Sequence, residues 1–131
     1  LLETQQSSDI TYRVYDYDRL SGGKPRQLHI AQSIDVITVP AKSADNSAVH
    51  TEKKDDAIQQ LIQCPYYTVY RIDVEHRVET WQDKPFVLMS VVEGEGTLNG
   101  TPLKKGDHLI LPAGYGKVEL QGKMQIIAST I

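Results

Sequence analysis

The hydrophobic and polar positions of this chain change their rhythm along its length. In residues 10–15, ITYRVY, the apolar Ile10, Tyr12 and Val14 alternate with Thr11, Arg13 and Tyr15. A two-residue period rich in β-branched and aromatic side chains predicts a strand with one apolar and one polar face. SGGK at 21–24 reads as a loop. Beyond it, Leu28, Ala31, Ile34 and Ile37 fall at helical spacing, and Pro25 suits a first helical turn, so a short helix is predicted over 26–36. Residues 40–56 carry KSADNS and EKKDD and read as a loop or a hairpin of weak strands, a seam between two parts. AIQQLIQ at 57–63 fits a helix through Ile58 and Ile62, and an alternating strand equally well.

From Tyr66 onward the pattern is β throughout. YTVYRIDV sets Tyr70, Ile72 and Val74 on one face and Arg71, Asp73 and Glu75 on the other. FVLMSVV at 86–92 is a continuous apolar run, as for a strand buried on both faces. EGEG then reads as a turn, and TLNGTPL as a hairpin about Asn99-Gly100, a dipeptide that tolerates two positive φ values. KKGD is another turn, HLILPA a strand ended by Pro112, AGYGK a loop, KVEL a strand, QGK a turn and MQIIAST the last strand. Strands this short and regular indicate a sandwich or a barrel.

Composition narrows the chemistry. The 131 residues make one domain, or one domain and a piece of another, with an ordinary 40% hydrophobic and 24% charged content. A formal net charge of -3 provides no bulk field for nucleic acid, so a phosphorylated ligand would be held by a few local cations. Cys64 is the only cysteine, which excludes an intrachain disulfide and fits a reducing cytoplasm. No apolar run is long enough to span a bilayer, and LLETQQ has neither the basic nor the apolar region of a signal peptide. A dense polar-aromatic motif opening at residue 1 without an initiator Met implies a polypeptide cut from something longer.

The titratable residues give little by spacing. His29, His50, His76 and His108 include no pair at H-x-H or H-x-x-x-H spacing and read as surface or partly buried imidazoles. Cys64, beside Pro65, reads as a small core residue. GDHLILPAGYG lacks both the P-loop and the dinucleotide-binding spacing. Arg13 stands on the polar face of its predicted strand. From spacing alone it reads as an ion-pair partner of Asp9 or Asp16. If that face lines a cavity, Arg13 is a fixed cation suited to an anionic substrate.

VVEGEGTLNGTPLKKGDHLILPAG resembles a cupin-type β-barrel, with Gly94, Gly96, Gly106, Asp107, Pro112 and Gly114 at the turns and strand ends. Metal-binding cupins also carry H-x-H and Glu on an earlier strand and a His after P-x-G. Here TVYRIDVEHRVE has only His76, and Tyr115, Gly116 and Lys117 follow the turn. Residues 66–131 are therefore expected to form a cupin-like barrel without its metal. The run QQSSDITYRVYDYDR, with LHIAQSIDVI after it and LPAGYGKVEL and MQIIAS near the end, is similar to the short bacterial type I mannose-6-phosphate isomerases over nearly the whole chain.

That resemblance implies an all-β architecture: a cupin-like jelly-roll barrel, one short connecting helix, and N-terminal strands left over from a second cupin barrel. Its expected parts are the last strands of the catalytic barrel (1–20), a connecting helix and loop or hairpin (21–65), and a metal-free barrel (66–131). It implies a zinc-dependent enzyme that interconverts mannose 6-phosphate and fructose 6-phosphate through a cis-enediol, with zinc polarising the sugar oxygens. The zinc ligands are expected upstream, none in this chain, and the chain alone is expected to be inactive without its N-terminal catalytic portion. Arg13 matches the family's active-site arginine and would stabilise the enediolate. Arg19 is the candidate phosphate ligand, against a solvated surface arginine. The alternative is a non-catalytic cupin module for sugar binding or dimerisation. A third reading, a metal-independent epimerase, would need His76 or His108 to act with Asp73 or Asp107, whose strand parities oppose it. The exposed apolar face Ile10, Tyr12 and Val14 would favour self-association through an open edge.

Overall fold

The computed structural model describes residues 2–5, 7–41 and 51–131. It divides into two compact units, Glu3–Ser47 and Ala48–Ile131. The expectation for residues 40–56 lies outside the described residues over 42–50.

In the first unit, strands β1 (Leu20–Ser21) and β2 (Lys24–Pro25) form a two-residue ladder closed by Gly22 and Gly23, both at positive φ. Helix α1 spans Ile30–Val36. It begins later than the spacing predicts because Pro25 pairs with Leu20 and the next residues are held by the 13–16 segment. The Leu28, Ala31, Ile34 and Ile37 stripe is exposed, and Ser33 is the buried position of the helix. Residues 10–15 do not form the predicted strand. A strand needs a ladder partner for its N–H and C=O groups. Here the backbone N–H and C=O of Arg13 are both engaged by His29. Ile10, Tyr12 and Val14 remain exposed.

The second unit is a seven-stranded antiparallel sheet with the order β3-β4-β9-β6-β7, to which β5 adds beside β9 and β8 beside β6. Its strands are β3 (Ala57–Gln63), β4 (Thr68–Val74), β5 (Arg77–Gln82), β6 (Phe86–Leu98), β7 (Thr101–Lys104), β8 (His108–Pro112) and β9 (Gly116–Thr130). The ambiguous 57–63 segment is thus a strand, paired with β4. Two long strands carry the sheet. β9 lies against β6 along one side; on its other side, its first half pairs with β5 and its second with β4. β6 likewise pairs with β8 through its first half and with β7 through its last.

EGEG and QGK are therefore not turns: they lie inside β6 and β9. What marks them is the bend. The register shifts between Val91 and Glu93, leaving one extra residue in β6, and there the backbone of Val91 bonds to Gly106 and Asp107. Just beyond, Gly96 and Gly122 face each other. A Cβ on Gly96 would lie 2.1 Å from the carbonyl oxygen of Gln121, and one on Gly122 would lie 2.6 Å from the Cα of Gly96. The two backbones approach too closely for any other residue.

Ile72, Val74, Val78, Met89, Val91, Leu98, Leu111, Val118, Leu120, Met124, Ile126 and Ala128 form the core. The β4 alternation holds, with Ile72 and Val74 inside and Tyr70 packed against them. The opposite face is not simply solvated, because the Asp73 carboxylate is fully buried under Arg71 and Gln125. Arg71 Nε lies 2.8 Å from Asp73 Oδ2 but is not aligned for a hydrogen bond, so that contact is an ion pair. FVLMSVV is not buried on both faces: Met89 and Val91 point inward, while Leu88 is exposed beside the exposed Ile110. At the Asn99-Gly100 turn both residues have positive φ, as the dipeptide predicts.

Asp56 locks the β4–β5 connection. Its carboxylate accepts the backbone N–H groups of Glu75, His76 and Arg77 and faces His76 Nδ1 at 3.1 Å. These bonds, that from His76 first, lower its pKa to about 2 against the opposing effect of burial.

Two outcomes test this architecture. Gly96→Ala or Gly122→Ala should destabilise the chain by roughly 1–3 kcal/mol in urea unfolding, whereas Gly100→Asn in the open turn should cost much less. A carboxyl depressed in the folded state stabilises above its unfolded pKa of about 4. The Asp56 contribution should therefore fade as pH falls from about 4 toward 2, and Asp56→Asn should flatten that limb of a Tm-versus-pH profile.

Candidate active site

The 10–29 segment gathers its polar groups through a turn that the alternation pattern does not predict. Arg19 N–H donates to the Asp16 carbonyl at 3.0 Å, and the central residues Tyr17 and Asp18 have φ of 52° and 54°. Two non-glycine residues in the left-handed region cost roughly 1–2 kcal/mol each. Local packing offsets this in part. The Tyr17 ring meets Tyr15 edge-on with centroids 4.9 Å apart, and the Arg19 guanidinium lies 5.8 Å above Tyr17.

The turn alters what faces what. Extending the Leu20–Pro25 register would bring Asp16 opposite His29. Instead His29 faces Arg13, three residues earlier, and Asp16 faces Arg26. Arg26 grips the Asp16 carboxylate with Nε, at 2.6 Å, and with Nη2. Arg13 Nε approaches the same carboxylate at 3.5 Å, and Arg13 Nη1 donates to the Gln27 carbonyl at 3.2 Å. Among the described residues Arg13 Nη2 has no hydrogen-bond partner. The Arg26 hydrogen bond holds the Asp16 carboxyl below the usual carboxylate range, with the charges of Arg13 and Arg19 acting in the same direction and burial opposing them. Asp16 in turn raises the Arg26 pKa.

Of the residues singled out from the sequence, Arg13 is thus only partly exposed and fixed by Asp16 and Gln27; Asp9 is not its partner. Arg19 stands over an aromatic ring and makes no ion pair among the described residues. His29 is more than a bystander, since its ring accepts from the Arg13 backbone. His50 lies outside the described residues. In the second unit His76 faces Asp56, while His108 Nδ1 lies 2.8 Å from Ser90 Oγ. Asp73 is paired with Arg71, and Asp107 caps Lys104 N–H, so neither serves an adjacent histidine. Cys64 is half-buried against the Tyr67 carbonyl. Arg26 and His29 escape sequence reasoning because they reach Asp16 and Arg13 across the Gly22-Gly23 hairpin. The double-glycine turn is the one local signal of that return.

A family model described as "Mannose-6-phosphate isomerase, cupin domain" matches residues 57–131. The chain belongs to the mannose-6-phosphate isomerase cupin family. Mannose-6-phosphate isomerase ManA of Bacillus subtilis is 44% identical over 133 residues, covering 98% of this chain and 42% of the relative. Mannose-6-phosphate isomerase of Streptococcus mutans is 42% identical over 134 residues, with the same coverage of each. The crystal structure of the mannose 6-phosphate isomerase from Bacillus subtilis superposes with a TM-score of 0.82 and 41% identity over 95% of this chain and 41% of that one. The cupin fold expected from the resemblance is thereby established for this chain. The chain spans about two fifths of the length of these relatives.

The Asp16 site makes a direct prediction. In Arg26→Ala the Asp16 carboxyl should rise toward its ordinary pKa, and in Arg13→Ala it should move less. Carboxyl-detected NMR titration measures both, and a larger shift in Arg13→Ala would show that Arg13 holds the carboxylate.

Proposed function

We propose that the protein containing this chain is a mannose-6-phosphate isomerase, interconverting mannose 6-phosphate and fructose 6-phosphate in the cytoplasm. The observation that carries the reading is the family match over residues 57–131, together with relatives of that name aligned along almost the whole chain. The reaction moves a proton between C2 and C1 of the open sugar through a cis-enediol, so negative charge develops on the sugar oxygens. Arg13 is suited to that charge. Its guanidinium is anchored on two sides by Asp16 and Gln27 and keeps Nη2 free among the described residues. A cation already held in place stabilises developing charge without reorganising. Arg13 is therefore assigned to the enediolate and not to proton transfer. Arg19 is assigned to the substrate phosphate, with Tyr17 shaping its approach.

The resemblance calls for zinc, and the described residues do not fit it: no three His, Cys, Asp or Glu side chains gather in a group that could hold a metal ion. Zinc is accordingly assigned to the full-length protein, on ligands outside the described residues, and the chain alone is assigned no turnover. The described residues contain no helix long and apolar enough to cross a membrane.

The test is a coupled isomerase assay with zinc analysis on the full-length protein and on the 131-residue chain. The full-length protein should bind zinc and turn over, and the chain should do neither. Arg13→Ala in the full-length protein should lower kcat by about 10²–10³-fold. Near-normal turnover of that variant would favour the non-catalytic cupin module instead, and turnover by the isolated chain would refute its dependence on the remainder.

A further inference from the structure

His29 occupies the N-cap position of α1, yet its side chain caps nothing in the helix. Residues in that position ordinarily turn a side-chain acceptor onto the free N–H groups of the first turn. The His29 ring turns the other way. Its Nδ1 accepts the backbone N–H of Arg13 at 3.1 Å, while the His29 N–H donates to the Arg13 carbonyl at 2.7 Å. His29 is itself anchored from the helix: its carbonyl accepts the Ser33 N–H at 2.9 Å and the Ser33 hydroxyl at 2.7 Å. Ser33 is buried. A continuous chain of hydrogen bonds thus runs from a buried serine in α1, through both the backbone and the ring of His29, to the backbone of Arg13.

This replaces what a strand would have supplied. With no ladder at residues 10–15, nothing periodic fixes the direction in which Arg13 leaves the backbone. The pair of bonds to His29 fixes the Arg13 peptide planes on both sides of its Cα. Asp16 and Gln27 then orient the guanidinium itself. In accepting this bond Nδ1 carries no proton, which places the ring proton on Nε2. The Tyr12 ring, tilted against the imidazole with centroids 6.2 Å apart, flanks it.

We propose that His29 is a positioning residue for Arg13, acting through the acceptor at Nδ1 and not through ring packing. The proposal rests on the assignment of Arg13 to the reaction. It predicts a particular order among variants of the full-length isomerase. Asn places its side-chain oxygen near where Nδ1 sits and keeps the acceptor; Phe keeps the ring and loses the acceptor; Gln reaches toward the Nε2 position. His29→Asn should therefore retain kcat to within about threefold. His29→Phe and His29→Gln should lose roughly 10- to 100-fold in kcat with little change in KM, as expected for a misplaced catalytic group. In [15N]histidine-labelled wild-type protein, the signal that disappears in His29→Asn should report an unprotonated Nδ1 and a protonated Nε2. The Arg13 amide should exchange slowly in wild type and in His29→Asn, and quickly in His29→Phe.

Equal kcat for His29→Asn and His29→Phe, or a His29 protonated on Nδ1, would overturn the positioning role. A wild-type protein without isomerase activity would overturn the functional reading instead; the tautomer and amide-exchange measurements would still decide whether His29 holds Arg13.

Discussion

Two strands hold the second unit together, and their mutual pairing is the constraint on which the rest depends. β6 and β9 bond to each other along most of their lengths, and each is shared by two further neighbours. Every other strand of the seven-stranded sheet except β3 pairs directly with one of them. Such long strands stay paired past a bulge only where the backbones can approach closely. The extra residue between Val91 and Glu93 and the facing Gly96 and Gly122 meet that need. Leu120 and Ile126 of β9, on either side of Gly122, are fully buried in the apolar core.

The first unit is organised by a different physical means. It contains little regular structure, and its order comes from side chains bonding to backbone and to one another. Asp16 is central: its carbonyl closes the Tyr17-Asp18 turn, and its carboxylate takes the Arg26 fork while leaving Arg13 at ion-pair distance. A carboxylate already engaged by one guanidinium competes less for a second. That division of labour is what leaves Arg13 with donors to offer. The strain accepted at Tyr17 and Asp18 is the structural condition for it, since without the turn Asp16 would not meet Arg26.

Much of the second unit was legible from the order of residues. The strands at 68–74, 86–92 and 108–112, the Asn99-Gly100 hairpin and the inward positions of β4 follow from local patterning and turn chemistry, whereas β5 was not singled out and β9 read as two strands. The glycines misled for a physical reason. A glycine permits a turn and also permits two backbones to touch, and only the partner strand distinguishes these roles; EGEG and QGK proved to be the second. Leu88 misled likewise, since a run of apolar residues does not reveal whether its second face is covered.

By itself the sequence determined the all-β class, the candidate at Arg13 and the family resemblance, because alternation, turn dipeptides and the Q-Q-S-S-D-x-T-Y-R-x-Y-D run are properties of neighbouring residues. The tertiary structure alone decided what Arg13 is attached to. Alternation promised a strand at 10–15, but a strand exists only where another supplies its hydrogen bonds, and His29 took that place. Arg26 and His29 reach their partners across a hairpin displaced by a left-handed turn, and that displacement is a matter of backbone angles that no pattern of hydrophobic and polar residues encodes.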